Sequence, residues 1–210
     1  VLCEKIDPME AIKRLQYHMV YNDADSNWGH RDNILDKWHN KVNIGIAYDD
    51  YFFVIVQHFE NDYIDWDIRE IKNGRMIISG RISTSIGNNT ELVAVVIYYD
   101  PLPQKRQSAF LLNSTPDCYT YGGGLACNSI EITTIYPPPP AGYIYDSPTH
   151  VANVWFVNKE RFYIDYSLFV KDEGIYTYVL LSKIKEDYVP LMSYSIAYKD
   201  GKILNIGSLE

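Results

Sequence analysis

The sequence predicts an α+β protein in which a short helical and hairpin segment precedes a longer antiparallel β-sandwich. Three observations carry this. A helical period occurs only near the start, where Ile12, Leu15, Met19 and Val20 mark one apolar face. From Gly74 onward the chain breaks into roughly seven short strand-like runs with turn residues between them. The 210 residues also include 19 Tyr, a residue whose apolar ring and polar tip suit pleated, half-buried surfaces.

Each element follows in order. Asp7-Pro8 caps and opens a helix over Met9–Tyr21, with Glu10 at its positive end. Asn22 to Asn27 is a run of turn formers that ends it, and Arg31–Trp38 reads as a second, short helix. Val42–Tyr48 and Tyr51–Phe59 form a hairpin joined by Asp49-Asp50, although a two-residue loop normally favours glycine. These parts do not enclose a proper core in about 65 residues, so the segment 1–67 reads as half of a domain. The second domain, 74–210, holds the strand candidates Met76–Thr84, Leu92–Tyr99, Asn128–Ile135, Val154–Val157, Phe162–Phe169, Gly174–Ser182 and Leu191–Tyr198. Pro137 to Pro140 is a stiff extended connector.

Composition narrows the function classes. With 22% charged and 47% hydrophobic residues the chain is ordinary globular material. Its 19 Lys+Arg against 27 Asp+Glu leave a net charge of −8, which disfavours nucleic acid and anionic lipid as partners. No apolar run is long enough to span a bilayer. The opening residues Val1 to Lys5 carry neither an initiator Met nor a signal pattern, and the chain is expected to begin inside a longer product.

Cys118 and Cys127 bracket a loop with three consecutive glycines. A disulfide closing it would stabilise by about 2–3 kcal/mol, and it is preferred over two free thiols or a metal site. Cys3 is then left over, which suggests a partner elsewhere in the precursor. Asn88 and Asn113 begin N-x-Ser/Thr triplets, a pattern that fits glycosylation in an extracellular location.

The most specific stretch is Trp28-Gly29-His30-Arg31-Asp32-Asn33-Ile34-Leu35. It is followed by Val42-Asn43-Ile44-Gly45-Ile46-Ala47 and by Val54-Ile55-Val56-Gln57-His58-Phe59. Across about Glu4 to Phe59 the order and spacing resemble the later half of a CAP domain. That is the cysteine-rich secretory, antigen 5 and pathogenesis-related superfamily, in its prokaryotic form. The C-terminal portion, with Gly174-Ile175-Tyr176-Thr177 and Ser193-Tyr194-Ser195-Ile196, is similar to the β-domain that follows such modules in prokaryotic surface proteins, a sandwich of the immunoglobulin or fibronectin-III kind. The resemblance implies an α-β-α sandwich whose cleft is lined by two His and two Glu and sometimes holds a divalent metal. His30 matches the cleft histidine of the Gly-His-Arg motif. Glu4 is the candidate match to the acidic residue of a Gly-Glu-Asn motif, though the glycine and asparagine are absent here. The earlier cleft residues would lie upstream of Val1.

Other constellations carry less. Asp23, Asp25 and Asn27 alternate like the first ligands of a calcium loop, but Gly29 falls one place late and position twelve is Ile34, which rules out an EF-hand. A helix-ending turn is the simpler reading, with a looser calcium site as the alternative. His18, His39 and His58 read as surface residues, and no nucleophile elbow or phosphate cradle is present.

The expected function is therefore that of an extracellular or cell-surface protein of an archaeon or bacterium, acting in binding or assembly, with an upstream segment and further copies of itself as partners. The competing expectation is a metal-assisted hydrolase with His30 as a ligand for zinc or another divalent ion such as calcium, its cleft completed from upstream. A lipid or sterol carrier is a third.

Overall fold

The computed structural model describes residues 2, 5–87, 90–102, 122, 129–145, 150–159 and 161–205. The protein is mostly β, with two α-helices near the start, and it divides into two compact units, Val1–Asp62 and Tyr63–Glu210.

In the first unit, α1 (Pro8–Tyr21) begins as the sequence predicts. Asp7 accepts the backbone N–H groups of Met9 and Glu10, and Pro8 occupies the first turn, where its missing N–H costs nothing. A short 3-10 turn (Ala24–Ser26) leads into α2 (Gly29–Leu35), which starts and stops earlier than the expected Arg31–Trp38 because Asp36 turns extended. β1 (Lys41–Tyr48) and β2 (Phe53–Glu60) form an antiparallel pair in which Ile46 faces Ile55 and Ile44 faces Gln57. Their connection is longer than a two-residue loop. Asp49 accepts the N–H groups of Tyr51 and Phe52 and donates its own N–H to the Phe52 carbonyl. The carboxylate thus closes the turn that a glycine would otherwise serve, and those N–H bonds hold the Asp49 carboxyl below its ordinary range.

α1 lies along β2 and touches α2. Ala11 and Leu15 pack with Phe53, while Leu2, Ile6, Ile12 and Ile55 surround them, and Gln16 receives a hydrogen bond from Gln57. Ala11, Leu15 and Phe53 are the fully buried apolar residues described in this unit. That is a very small core for 62 residues. On β1, by contrast, every residue is exposed.

The second unit contains two sheets. One has four strands in the order β3-β4-β9-β8, formed by β3 (Ile64–Lys72), β4 (Arg75–Ile82), β9 (Arg161–Ser167) and β8 (Val154–Asn158). The other has six in the order β12-β11-β10-β5-β6-β7, formed by β12 (Lys202–Asn205), β11 (Asp187–Lys199), β10 (Gly174–Ile184), β5 (Glu91–Asp100), β6 (Ile130–Tyr136) and β7 (His150–Val151). All pairings are antiparallel except the short β6–β7 contact. The sheets meet where Tyr166 of β9 approaches Tyr178 of β10 and where the Arg69 guanidinium of β3 lies over the Tyr194 ring of β11.

β3 was not among the predicted strands. It pairs with β4 along its length, so residues 68–73, expected to separate the domains, lie inside this sheet or its turn. Its charges suit an edge position, which hides it from a hydrophobicity reading. β10 is the reverse case, buried from Gly174 to Leu180, as a central strand covered on both faces should be. Pro190 is tolerated in β11 because β12 pairs only with Ile196–Lys199, and the register shifts beside it.

The tyrosines do more than line wet surfaces. Tyr166, Tyr176 and Tyr178 are fully buried. The Tyr176 hydroxyl accepts from the Lys171 and Asp172 amides and donates to the Asp172 carbonyl, while Tyr178 donates to Phe169 and Tyr99 to Glu173. These bonds tie the β9–β10 connection to the sheet. Burial, reinforced by the neighbouring ring, pushes the Tyr166 and Tyr178 hydroxyls well above the ordinary tyrosine range, so both remain neutral donors.

Candidate functional site

The site forms where α1 hands over to α2. Asn22 leaves the helix, and Asp23 is buried at the foot of the turn. Its carbonyl accepts the N–H groups of Ser26 and Trp28. Asn27 and Trp28 then take consecutive left-handed conformations, with φ of 50° and 63°, which reverse the chain onto the first turn of α2. This reversal brings His30 back over Asp23.

Asp23 is saturated. One carboxylate oxygen, Oδ2, accepts the backbone N–H of His30 at 2.8 Å and that of Arg31 at 3.1 Å. The other, Oδ1, lies 2.7 Å from His30 Nδ1. Burial opposes ionisation of this carboxyl, but the His30 ring bond, the charge of the imidazole and the two amide bonds outweigh it, so its pKa falls below the ordinary value. An ionised carboxylate only accepts, so Nδ1 carries the proton of this bond and Nε2 is the ring nitrogen that Asp23 does not engage. The His30 side chain is 56% exposed, so the imidazole is held at the root and open at the tip. Such a ring can take a proton or contribute one ligand to a metal. Beside it the Arg31 guanidinium stacks over the Trp28 ring at 5.3 Å.

The other sequence candidates fall elsewhere. His18 accepts from the Asn22 amide, His39 donates Nδ1–H to the Asn33 carbonyl while stacking on Phe59, and His58 is exposed on β2 beside Glu60. The calcium reading loses its first ligand, since both Asp23 oxygens are committed to His30 and α2 amides. Among the described residues no group of three or more His, Cys, Asp or Glu is placed to hold a metal, and His30 stands there as one oriented donor. Glu4, Cys3, Cys118, Cys127, Asn88 and Asn113 lie outside the described residues. No described helix is long and apolar enough to cross a membrane.

Sequence reasoning missed the role of Asp23. It stands seven residues before His30 in a run of turn formers, where a helix-ending turn explains it equally well. Only the paired left-handed residues aim its side chain at the motif.

No protein-family model, curated protein or solved structure matches this chain. The functional reading therefore rests on the residues and their geometry.

Proposed function

We propose that the protein is an extracellular or cell-surface binding and assembly protein. Its first unit is the C-terminal half of a CAP-like domain, and its second is an immunoglobulin- or fibronectin-III-like β-sandwich. One observation carries the reading. Val42, Ile44, Ile46 and Tyr48 lie in one row of β1, on the hairpin face that α1 covers over β2, and all four are exposed, Ile44 by 58%. An isolated two-stranded hairpin is marginal in water, and an uncovered apolar row beside a three-residue core marks a surface awaiting a partner.

Two further features favour a segment upstream in the same precursor as that partner. Leu2 makes an antiparallel bridge with Phe53, exchanging both backbone hydrogen bonds. A segment continuing that antiparallel direction would run along Val54–Glu60, as an added strand beside β2. On the same hairpin face the buried Gln57 Oε1 has no hydrogen-bond partner among the described residues, an acceptor that an incoming segment would satisfy. The extracellular location draws on the Cys118–Cys127 pair and on the Asn88 and Asn113 triplets.

The test is association. The polypeptide encoded upstream of Leu2, supplied as a separate chain, is expected to co-purify with this protein and to lose that association in the Ile44→Lys/Ile46→Lys variant. Failure of the unmodified chain to associate would overturn the reading.

The Asp23–His30 pair favours a second reading, the metal-assisted hydrolase. A bound zinc would supply Lewis acidity there, and this chain contributes His30 Nε2, oriented by Asp23, with the remaining ligands coming from upstream. Calorimetric titration of Zn²⁺ into the completed protein should then show one site that His30→Ala weakens at least about tenfold. Equal binding by the variant would end this reading.

A further inference from the structure

Two residues at the turn into α2 are ones that the local backbone does not ask for. Trp28 takes φ of 63°, a left-handed conformation that glycine or asparagine adopts readily and a bulky side chain adopts at a cost. Gly29 beside it shows the opposite mismatch. It has no positive φ, and a carbon added to it would meet nothing within 4 Å. Neither backbone nor packing requires a glycine at this first position of the helix. Local rules broken without a structural return mark functional positions.

Burial does not offset the strain. Trp28 stays 38% exposed, and no residue of α2 is buried. The contact of its ring is with the Arg31 guanidinium, 5.3 Å from the ring centroid. Among the described residues that guanidinium meets no carboxylate, in a chain with 27 Asp+Glu against 19 Lys+Arg. A guanidinium lying over a ring keeps its in-plane N–H fork free, the geometry that takes a carboxylate through two parallel bonds. The exposed part of the indole is a platform for the C–H face of another ring. Asn27 and Asp32, exposed before and after the pair in sequence, supply donors and acceptors suited to hydroxyl groups.

From these observations we infer that Trp28 and Arg31 form a binding site for an acidic saccharide, a pyranose ring that carries a carboxylate. The indole meets the sugar ring, Arg31 takes the carboxylate, and Gly29 keeps the approach beside the ring clear. A neutral sugar leaves the guanidinium without its partner. A simple aliphatic acid leaves the indole uncovered, and the polar surroundings disfavour an apolar ligand. This site is independent of the uncovered hairpin and of any metal at His30.

Calorimetric titration of the 210-residue chain with trigalacturonate tests it, with the fully methyl-esterified, uncharged trisaccharide as control. The acid is expected to bind with a dissociation constant of about 1 mM or below, and the ester at least about tenfold more weakly. Arg31→Gln should erase that preference. Gly29→Leu should weaken binding of the acid at least about tenfold while melting with wild type, since the added side chain enters open space. Trp28→Gly should abolish binding and, by relieving the left-handed strain, melt no lower than wild type. That combination separates a ligand platform from a structural ring. Failure of wild type to bind the acid, equal binding of the ester, or a Trp28→Gly variant that melts several degrees lower would each overturn the proposal.

Discussion

Gly80→Ala is expected to destabilise the Tyr63–Glu210 unit by about 1–3 kcal/mol or more, a large effect for a single added methyl group. Gly80 sits in β4 opposite Trp66 of β3 and Phe162 of β9, whose rings meet edge to face across it at 6.1 Å. A Cβ there would lie 2.4 Å from the Asp65 carbonyl oxygen and 3.2 Å from Ile64 Cγ2. The first of these is backbone, fixed by the register shift in β3, and it has no rotamer with which to move aside. Thermal unfolding would register a fall of about 2–4 °C for each kcal/mol. Gly29→Ala is the control, because nothing lies within 4 Å of its added carbon. Equal melting temperatures for the two variants would contradict this packing.

Asp23→Asn is expected to loosen the turn that carries His30, and to do so in a pH-dependent way. The amide oxygen of asparagine can replace only one of the two carboxylate oxygens, so either the His30 ring or the α2 amides lose their acceptor. The folded pKa of Asp23 lies below the ordinary aspartate range, held there by the His30 ring and the two α2 amides against the opposing effect of burial. A depressed carboxyl stabilises the fold above its unfolded pKa and loses that contribution as the pH falls through the folded value. The first unit of the variant should therefore melt several degrees below wild type at pH 7, with the gap closing below about pH 4. Imidazole ¹⁵N shifts give a second readout. In wild type they should report a proton fixed on Nδ1, and in the variant a mixture of tautomers. A gap that persists unchanged at pH 3 would show that the charge on Asp23 is not what holds the turn.

Much of the fold was legible because local signals were strong. Asp7-Pro8 and the apolar positions Ile12 and Leu15 locate α1, and alternation in Phe162–Tyr166 locates β9. The two longer strands missed were flagged by turns, not by hydrophobicity. Asn73-Gly74, with φ of 52° and 70°, joins β3 to β4, and Asp200-Gly201, with φ of 51° and 71°, joins β11 to β12. These are the residue pairs that the tight turns between twisted strands require, and they announce strands whose own residues are too polar to be noticed. In the Asp49–Phe52 connection the reverse holds. No glycine is needed there because a carboxylate organises the amides.

The site was legible as a motif and not as a geometry. His30 stands out in Gly29-His30-Arg31, but its partner Asp23 reaches it only through the left-handed pair Asn27 and Trp28, of which only the asparagine favours that conformation. Which faces stay uncovered is a tertiary property. The alternation Val42, Ile44, Ile46, Tyr48 predicts a buried face, and nothing in those residues tells that α1 stops at β2.

Amide hydrogen exchange across Lys41–Tyr48 tests the central claim most directly, comparing the 210-residue chain with the same chain joined to the upstream segment that the proposed function requires. If the hairpin face is half of a divided domain, the β1 amides exchange freely in the shorter chain and slow by about a hundredfold or more once the segment is present, a gain of about 3 kcal/mol in local protection. If β1 exchanges at the same rate in both, or is already as protected as β10 in the shorter chain, the uncovered row is not a surface built for that partner.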